Sequence, residues 1–339
     1  MKLWFDKGIW TRKNIEKKIK DLSFSDIKKI AILRHAALGD MVLTRSFIIE
    51  ARKAFPNAVI TLSIVSNYTR GAPEDLVDRV HIVPGSDHKN ISIKERYKRI
   101  KELGDQDIIF DLASSGRSNM TCLLNRATLK IGFPYRKLQA KLLFDIATPR
   151  SDLNFEGCDM MNMLNALGIK TAYPHQYDMP GEALKREKPY IIYFIGASTP
   201  DKVWPAECFS DLIKVMSKDY PDHDHLVLEG IQAWETADNI LAPLQKTDNV
   251  DVINADTIDE TVSVLKGADL VISNDTGIRH LAIVSEIPTV GIFFQAPYRY
   301  WPRFEIHDVA MPDENGPASV AEVHKCCTSI LAKTLKTAD

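Results

Sequence analysis

Short apolar runs rich in Ile and Val recur along the chain at 29–33, 59–65, 107–112, 190–196, 225–229, 250–253, 269–273 and 289–294. Most lack polar alternation, the pattern of parallel strands covered on both faces. Helical periodicity separates many of them, at 41–55, 162–167, 208–217, 257–266 and 277–285. Strand and helix therefore alternate, which predicts an α/β fold with parallel sheets. The polar stretch 171–188, with Pro174, Pro180 and Pro189 around it, falls between one α/β series and the next and reads as a linker. The expected organisation is an extension (1–28), an N-terminal Rossmann-like domain (29–175), a linker (176–188) and a C-terminal Rossmann-like domain (189–339). Two such halves would face a central cleft, with the last helix a candidate to return to the N-terminal domain. Neither an internal repeat nor a low-complexity segment is visible.

Composition narrows the class. The 339 residues are 45% hydrophobic and 26% charged, with 43 Lys+Arg against 45 Asp+Glu. That excludes disorder and fibrous repeats, and the length suits about two domains that need no staples. The five cysteines, Cys122, Cys158, Cys208, Cys326 and Cys327, form no C-x-x-C pair, so neither a zinc site nor a disulfide framework is indicated. No apolar run is long enough to span a bilayer and the N-terminus is too charged for a signal peptide, so a cytoplasmic location is expected. Trp4, Phe5, Ile9 and Trp10 lie beside Lys7, Arg12, Lys13, Lys17, Lys18 and Lys20. That combination suits either peripheral contact with an anionic inner-membrane surface or ordinary packing on the N-terminal domain.

Ligands of open α/β sheets bind beyond the carboxyl ends of strands, so the residues following each run carry the candidate chemistry. After 29–33 comes Arg34-His35-Ala36-Ala37-Leu38-Gly39-Asp40, where Gly39 permits a tight turn and Asp40 either caps the next helix or projects into the cleft. After 107–112 comes Ala113-Ser114-Ser115-Gly116-Arg117. After 190–196 come Ala197, Ser198, Thr199, Pro200, Asp201 and Lys202, small, hydroxyl and cationic residues suited to anions. The run 269–273 leads into Asn274-Asp275-Thr276-Gly277, which opens a helix with His280 about one turn in. A diphosphate would fit that helix N-terminus. His280 taken singly is as well explained by packing; its place after a strand makes it a candidate ligand.

Other readings lack their parts. Asp222-His223-Asp224-His225 alternates metal-type ligands but precedes a strand, on the wrong edge of a sheet, and is expected to be a solvated turn. Dinucleotide, P-loop and nucleophile-elbow motifs are missing. Near-zero net charge without an aromatic-interleaved basic stripe argues against nucleic acid. Local charge differs: from 116 to 141 the chain carries Arg117, Arg126, Lys130, Arg136, Lys137 and Lys141 without one Asp or Glu. This is either a solvated face or the contact for an acidic sugar phosphate.

The A-L-G-D turn at Asp40, the D-K-x-W-P stretch from Asp201 to Pro205 and the S-N-D-T-G-x-x-H-L-A segment followed by I-P-T-V-G-I-F resemble glycosyltransferase family 9, the bacterial heptosyltransferase family. The likeness runs from about residue 29 to the C-terminus. It implies a GT-B fold, an ADP-heptose donor, a lipopolysaccharide inner-core (Kdo/heptose-lipid A) acceptor, inversion at the anomeric carbon, and no metal or other cofactor. Carried over by position, Asp40 matches the general base and Lys202 the cation beside the donor phosphates. Asp275, Thr276, Gly277 and His280 match the nucleotide-phosphate motif, joined by Ser198, Thr199 and Glu235, the last as a ribose contact. The acidic lipid-linked acceptor is assigned to Gly39, Arg117, Arg136 and Lys137. Another nucleotide sugar as donor stays open, as does a catalytically silent nucleotide-sugar binder; Asp40 and Lys202 together favour the enzyme, because a binder needs no base.

Overall fold

The computed structural model describes residues 8–133, 136–230, 232, 235–244, 247–295, 297–312, 314 and 316–334. Trp4, Phe5 and Lys7 of the N-terminal aromatic and basic cluster lie outside these residues. The chain divides into two compact units, the first ending at Tyr177 and the second beginning at Asp178.

In the first unit the strands are β1 (Trp10–Thr11), β2 (Lys29–Leu33), β3 (Val59–Val65), β4 (Arg79–Val83), β5 (Ile108–Asp111), β6 (Leu129–Gly132) and β7 (Ile146–Ala147). The helices are α1 (Ile15–Lys20), α2 (Leu38–Ala54), α3 (Ile93–Lys101), α4 (Gly116–Leu124), α5 (Lys137–Leu143) and α6 (Glu156–Asn165). The sheet order is β1-β7-β6-β5-β2-β3-β4, and every pairing is parallel except β1 with β7. Residues 30–33 of β2 and all of β5 are buried, as strands covered on both faces must be. Right-handed crossovers to the β6 side and to the β3 side put their helices on opposite faces. Accordingly α3 packs on α4 and α4 on α5, while α2 packs on α6. From the two central strands the chain leaves in opposite directions, β2 toward β3 and β5 toward β6, which makes their carboxyl ends a topological switch point.

The second unit repeats the plan with β8 (Tyr190–Phe194), β9 (Asp224–Leu228), β10 (Val250–Ile253), β11 (Leu270–Asn274), β12 (Thr289–Ile292) and β13 (His307–Ala310). Its helices are α7 (Ala206–Asp219), α8 (Asp238–Leu241), α9 (Ile258–Lys266), α10 (Gly277–Val284) and α11 (Val320–Thr334). The order β10-β9-β8-β11-β12-β13 is wholly parallel, so the switch point lies at the ends of β8 and β11. The last helix, α11, packs on α7 and along β11 to β13 of its own unit.

The α/β class read from the sequence is the fold observed, and the differences are local. Helix α6 begins at Glu156, six residues before the periodicity suggests, because Glu156 and Asp159 are buried polar residues that break the apolar pattern. Strand β4 is absent from the apolar runs because it alternates between exposed and buried positions at the sheet edge. Among the described residues no helix is long and apolar enough to cross a membrane.

Candidate functional site

At the first switch point the turn after β2 is built around a buried arginine. Arg34 is 1% exposed. Its Nε donates to the Asp40 carbonyl at 3.0 Å, and its Nη1 to the Leu112 carbonyl at 2.6 Å and to Glu156 Oε1 at 3.1 Å. Nη2 lies 3.1 Å from Asp40 Oδ1, an ion pair without hydrogen-bond alignment. Glu156 also receives two bonds from Arg150, Nη2 to Oε1 at 2.6 Å and Nε to Oε2 at 3.1 Å. Arg34, Arg150, Glu156 and Asp40 thus form a charge-balanced set in which the fully buried Glu156 meets two guanidinium groups, the arrangement burial of a carboxylate demands. Asp40 does not cap α2: Ala37 holds the N-cap position, and Asp40 sits in the first turn, where a carboxylate also suits the helix dipole.

At the end of β5, Asp111 Oδ1 accepts from the N–H groups of Ala113 and Ser114 at 3.0 and 2.9 Å, and Oδ2 from the Ser118 hydroxyl at 2.9 Å. Burial nonetheless raises this carboxyl to about 6. The bonds donated to Asp111 help hold Ser114 at φ 50, a left-handed conformation that costs a residue with a Cβ. Ser115 then caps α4 in a reciprocal box with Ser118. His35 joins this turn to β3: its Nδ1 lies 3.2 Å from Ser115 Oγ and its Nε2 3.3 Å from Ser63 Oγ. Ser63 in turn meets His81 Nδ1 at 2.9 Å, and His81 Nε2 faces the Arg99 carbonyl at 2.8 Å. That carbonyl requires a proton on His81 Nε2, so Ser63 donates to His81 Nδ1, His35 Nε2 donates to Ser63, and Ser115 donates to His35 Nδ1. Burial, with the neighbouring His81 and Arg117, lowers the His35 pKa to about 3 and keeps its ring neutral.

The cationic run divides by use. Lys130 Nζ donates to the Cys122 and Asn125 carbonyls, both at 2.6 Å, and so serves the C-terminal end of α4 rather than a ligand. Lys141 lies 5.0 Å over the Trp10 ring, and Arg117 Nε donates to the Pro84 carbonyl at 2.9 Å. Arg126, Arg136 and Lys137 are exposed, Arg136 at the N-cap position of α5.

In the second unit Asn274 ties the two central strands together. Its side chain is fully buried; Nδ2 donates to the Ile195 and Gly196 carbonyls at 3.2 and 3.0 Å, and Oδ1 accepts from Trp204 N–H at 3.1 Å. Trp204 is core, donating Nε1 to the Ala318 carbonyl at 3.0 Å and stacking edge-on against Phe209. The D-K-x-W-P stretch is thus anchored by its tryptophan, while Ser198, Thr199 and Lys202 are exposed. Thr199 bonds to the Asp201 carboxylate and lowers its pKa. Thr276 caps α10 by accepting from Arg279 N–H, and its carbonyl accepts from His280 N–H. Gly277 and Ile278 occupy the first two positions of α10, where the helix itself supplies no acceptor for the backbone N–H. Asp275 is half-buried beside this cap. Glu235 is buried with Oε2 accepting from Gln232 N–H at 3.0 Å. A Cβ at Gly196 would come within 2.2 Å of its Oε1, and one at Gly230 within 2.1 Å of its Oε2, so the carboxylate wedges between the ends of β8 and β9. Sequence reading gave no role to Asn274, Arg34 or His35. The one signal was a polar residue placed immediately after, or last in, an otherwise apolar strand.

Behind the α10 cap, Arg279 is fully buried, donating Nη1 to the Tyr300 carbonyl at 2.8 Å and lying over the Phe293 ring. Burial lowers its pKa to about 10, opposed by Asp275. The His280 ring stands edge-on to Tyr300. The Asp222 to His225 stretch is not wholly the solvated turn expected, because both of its imidazoles are built into the fold. His223 meets Asp269, and the fully buried His225 bonds to the Tyr193 hydroxyl and the Tyr220 carbonyl at the amino end of β9.

Two parallel, doubly wound units, each with its polar residues gathered at a central switch point, are the architecture of the GT-B glycosyltransferases. The chain belongs to glycosyltransferase family 9 (heptosyltransferase), whose model matches residues 96–327. That span holds Lys202 and the Asp275 to His280 segment; Asp40 precedes it. The chain is 22% identical over 295 residues to lipopolysaccharide heptosyltransferase 1 of Campylobacter coli, across 79% of this chain and 84% of that one. Among solved structures it is similar to a family 9 glycosyl transferase from Veillonella parvula, with TM-score 0.70, 20% identity and coverage of 92% and 99% of the two chains. It is also similar to the E. coli heptosyltransferase WaaC with ADP-2-deoxy-2-fluoro heptose, with TM-score 0.68, 17% identity and coverage of 90% and 99%. The resemblance, fold class and glycosyltransferase assignment drawn from the sequence agree with these findings. The protein is a glycosyltransferase.

Proposed function

We propose that the protein moves a heptosyl group from ADP-heptose to an acidic, lipid-linked acceptor of the lipopolysaccharide inner core, inverting the anomeric carbon and using no metal ion. The observation that carries the reading is the second-unit switch point, where Asn274 joins the loop bearing Ser198, Thr199 and Lys202 to the strand that opens α10. Two N–H groups and one ammonium, from segments held together, are the donor set a leaving diphosphate calls for. The relatives named above, one a lipopolysaccharide heptosyltransferase and one solved with an ADP-heptose analogue, support the donor and acceptor classes.

In the proposed reaction Asp40 takes the proton of the acceptor hydroxyl, and that oxygen attacks the anomeric carbon from the face opposite the diphosphate. The bond from carbon to the phosphate oxygen breaks, and its electron pair leaves with ADP. Lys202 and the Gly277 and Ile278 N–H groups meet the charge that gathers there. Arg34 engages Oδ1 of Asp40, which leaves Oδ2 for the hydroxyl. On this reading Asp275 and His280 border the phosphates and Glu235 the ribose, while Gly39, Arg117, Arg136 and Lys137 serve the acceptor. The work is assigned to the cytoplasmic face of the inner membrane.

The test is ADP release from ADP-heptose with and without Kdo-lipid A, run in EDTA, beside other nucleotide sugars. Acceptor-dependent release in EDTA is expected, and Asp40→Asn should lower kcat about 10²-fold or more while ADP affinity is kept. Release from another nucleotide sugar alone would overturn the donor, and nucleotide binding without turnover of any donor would make the protein a binder.

A further inference from the structure

We propose that the outer face of α3, α4 and α5 docks on an anionic lipid bilayer. The three helices stand side by side on one face of the first sheet, α3 against α4 and α4 against α5. Each turns a pair of large apolar side chains outward at helical spacing: Ile93 and Tyr97, Met120 and Leu123, Leu138 and Leu142. These are among the most exposed large hydrophobics of the chain, from 46% at Met120 to 88% at Ile93. Residues three or four apart share one side of a helix, so each pair is a stripe and the three stripes lie on adjacent helices. A set of exposed apolar stripes this extended marks a surface that meets something other than water.

The charges say what it meets. Helix α3 carries Lys94, Arg96, Lys98, Arg99 and Lys101, against Glu95 and, at its C-cap, Glu102, both of which pair with Arg99, at 3.0 and 3.4 Å. Helices α4 and α5 hold no acidic residue, and Lys137 and Lys141 flank Leu138 and Leu142. Apolar stripes rimmed by cations suit a surface whose interior is hydrocarbon and whose rim is phosphate. A second copy of the chain fits poorly, because an isologous contact would set these cations against themselves. The surface lies on helices separate from Asp40 and from the donor segments, so the proposal stands whatever the donor proves to be.

The experiment is flotation of the full chain with vesicles of phosphatidylcholine alone and of phosphatidylcholine with phosphatidylglycerol, at low and high salt. Wild type should float with the anionic vesicles, less so at high salt, and stay behind with the neutral ones. Leu138→Ser with Leu142→Ser should cut partitioning by about tenfold or more, because interfacial binding scales with buried apolar groups. Lys94→Glu with Lys98→Glu should cut it further at low salt than at high. Far-ultraviolet circular dichroism and ADP binding, unchanged in both variants, report that the fold is kept. Absence of flotation, or flotation indifferent to both pairs of substitutions, overturns the proposal. So does a concentration-dependent dimer that the leucine pair converts to monomer, which would give the face to a second copy.

Discussion

Asn274→Ala is the sharpest probe of the second unit, to which donor binding is proposed, because one side chain there makes three buried hydrogen bonds. Its loss leaves the Ile195 and Gly196 carbonyls and the Trp204 N–H without that partner. At about 1 kcal/mol per bond, with some groups left unsatisfied, the second unit should lose about 2–4 kcal/mol. A unit of this size loses about 2–4 °C of Tm per kcal/mol, so its transition should fall by about 4–16 °C. Asn274→Asp should be worse, since it sets a carboxylate oxygen against two carbonyls where an amide donated. Function should change with stability: Ser198, Thr199 and Lys202 hang on the loop that Asn274 anchors, so ADP affinity measured by calorimetry well below the transition should fall. A transition within about 2 °C of wild type together with unchanged ADP affinity would refute the reasoning, for the bonds would then be doing nothing that water cannot do.

Lys202→Ala should weaken ADP binding and slow transfer, since an exposed ammonium is proposed to meet the leaving diphosphate; calorimetry and ADP release read the two effects separately. Arg136→Glu with Lys137→Glu should raise acceptor KM and leave ADP binding intact, more clearly at low salt; unchanged acceptor kinetics would remove these residues from the acceptor site. Burial lowers His225 to about 4 and His307 to about 3, against 6.5 for a free imidazole. The folded rings stay neutral while the unfolded chain takes up their protons. The contribution of these two histidines to the second unit is therefore fully present above about pH 6.5 and is lost as pH falls toward 4, at up to about 3 kcal/mol per pH unit for the two together. Scanning calorimetry between about pH 7 and 5 should show its transition falling, and His307→Gln should flatten that slope.

What could be read from the chain follows from what is local. Strands β2, β8 and β11 are legible because both of their faces are covered and polar residues stand only at their ends. Strands β1 and β7 are two residues each, too short for any period, and the first six residues of α6 were hidden by Glu156 and Asp159, whose charges answer partners outside the helix. At the two switch points, the positions of Asp40, Thr276 and Gly277 were legible because a strand end is a local feature. The bonds that give those positions meaning were not. Arg34 reaches Glu156 across 122 residues, and Asn274 reaches Ile195 across 79. Lys130 shows the converse: in sequence it is one cation in an unbroken run, and only the fold reveals the carbonyls that claim it.

The arginine at the first switch point contacts two carboxylates, and the difference between them decides which can act as a base. Glu156 and Asp40 both lie 3.1 Å from the Arg34 guanidinium, so charge alone does not separate them. Their surroundings do. The Glu156 side chain is 0% exposed and both of its oxygens are bonded to Arg150, so it has neither a lone pair facing a substrate nor a path for a proton to leave. The Asp40 side chain is 26% exposed and stands in the first turn of α2. When a base in this set takes a proton, the balanced group of two arginines and two carboxylates is left with one excess positive charge. That charge is relieved only when the proton passes on to solvent. Asp40 has that exit and Glu156 does not. Glu156→Gln should therefore act mainly on stability, by unbalancing Arg34 and Arg150, and reach turnover only through the placement of Asp40, whereas Asp40→Asn, at a part-exposed position, should cost less stability and act mainly on turnover.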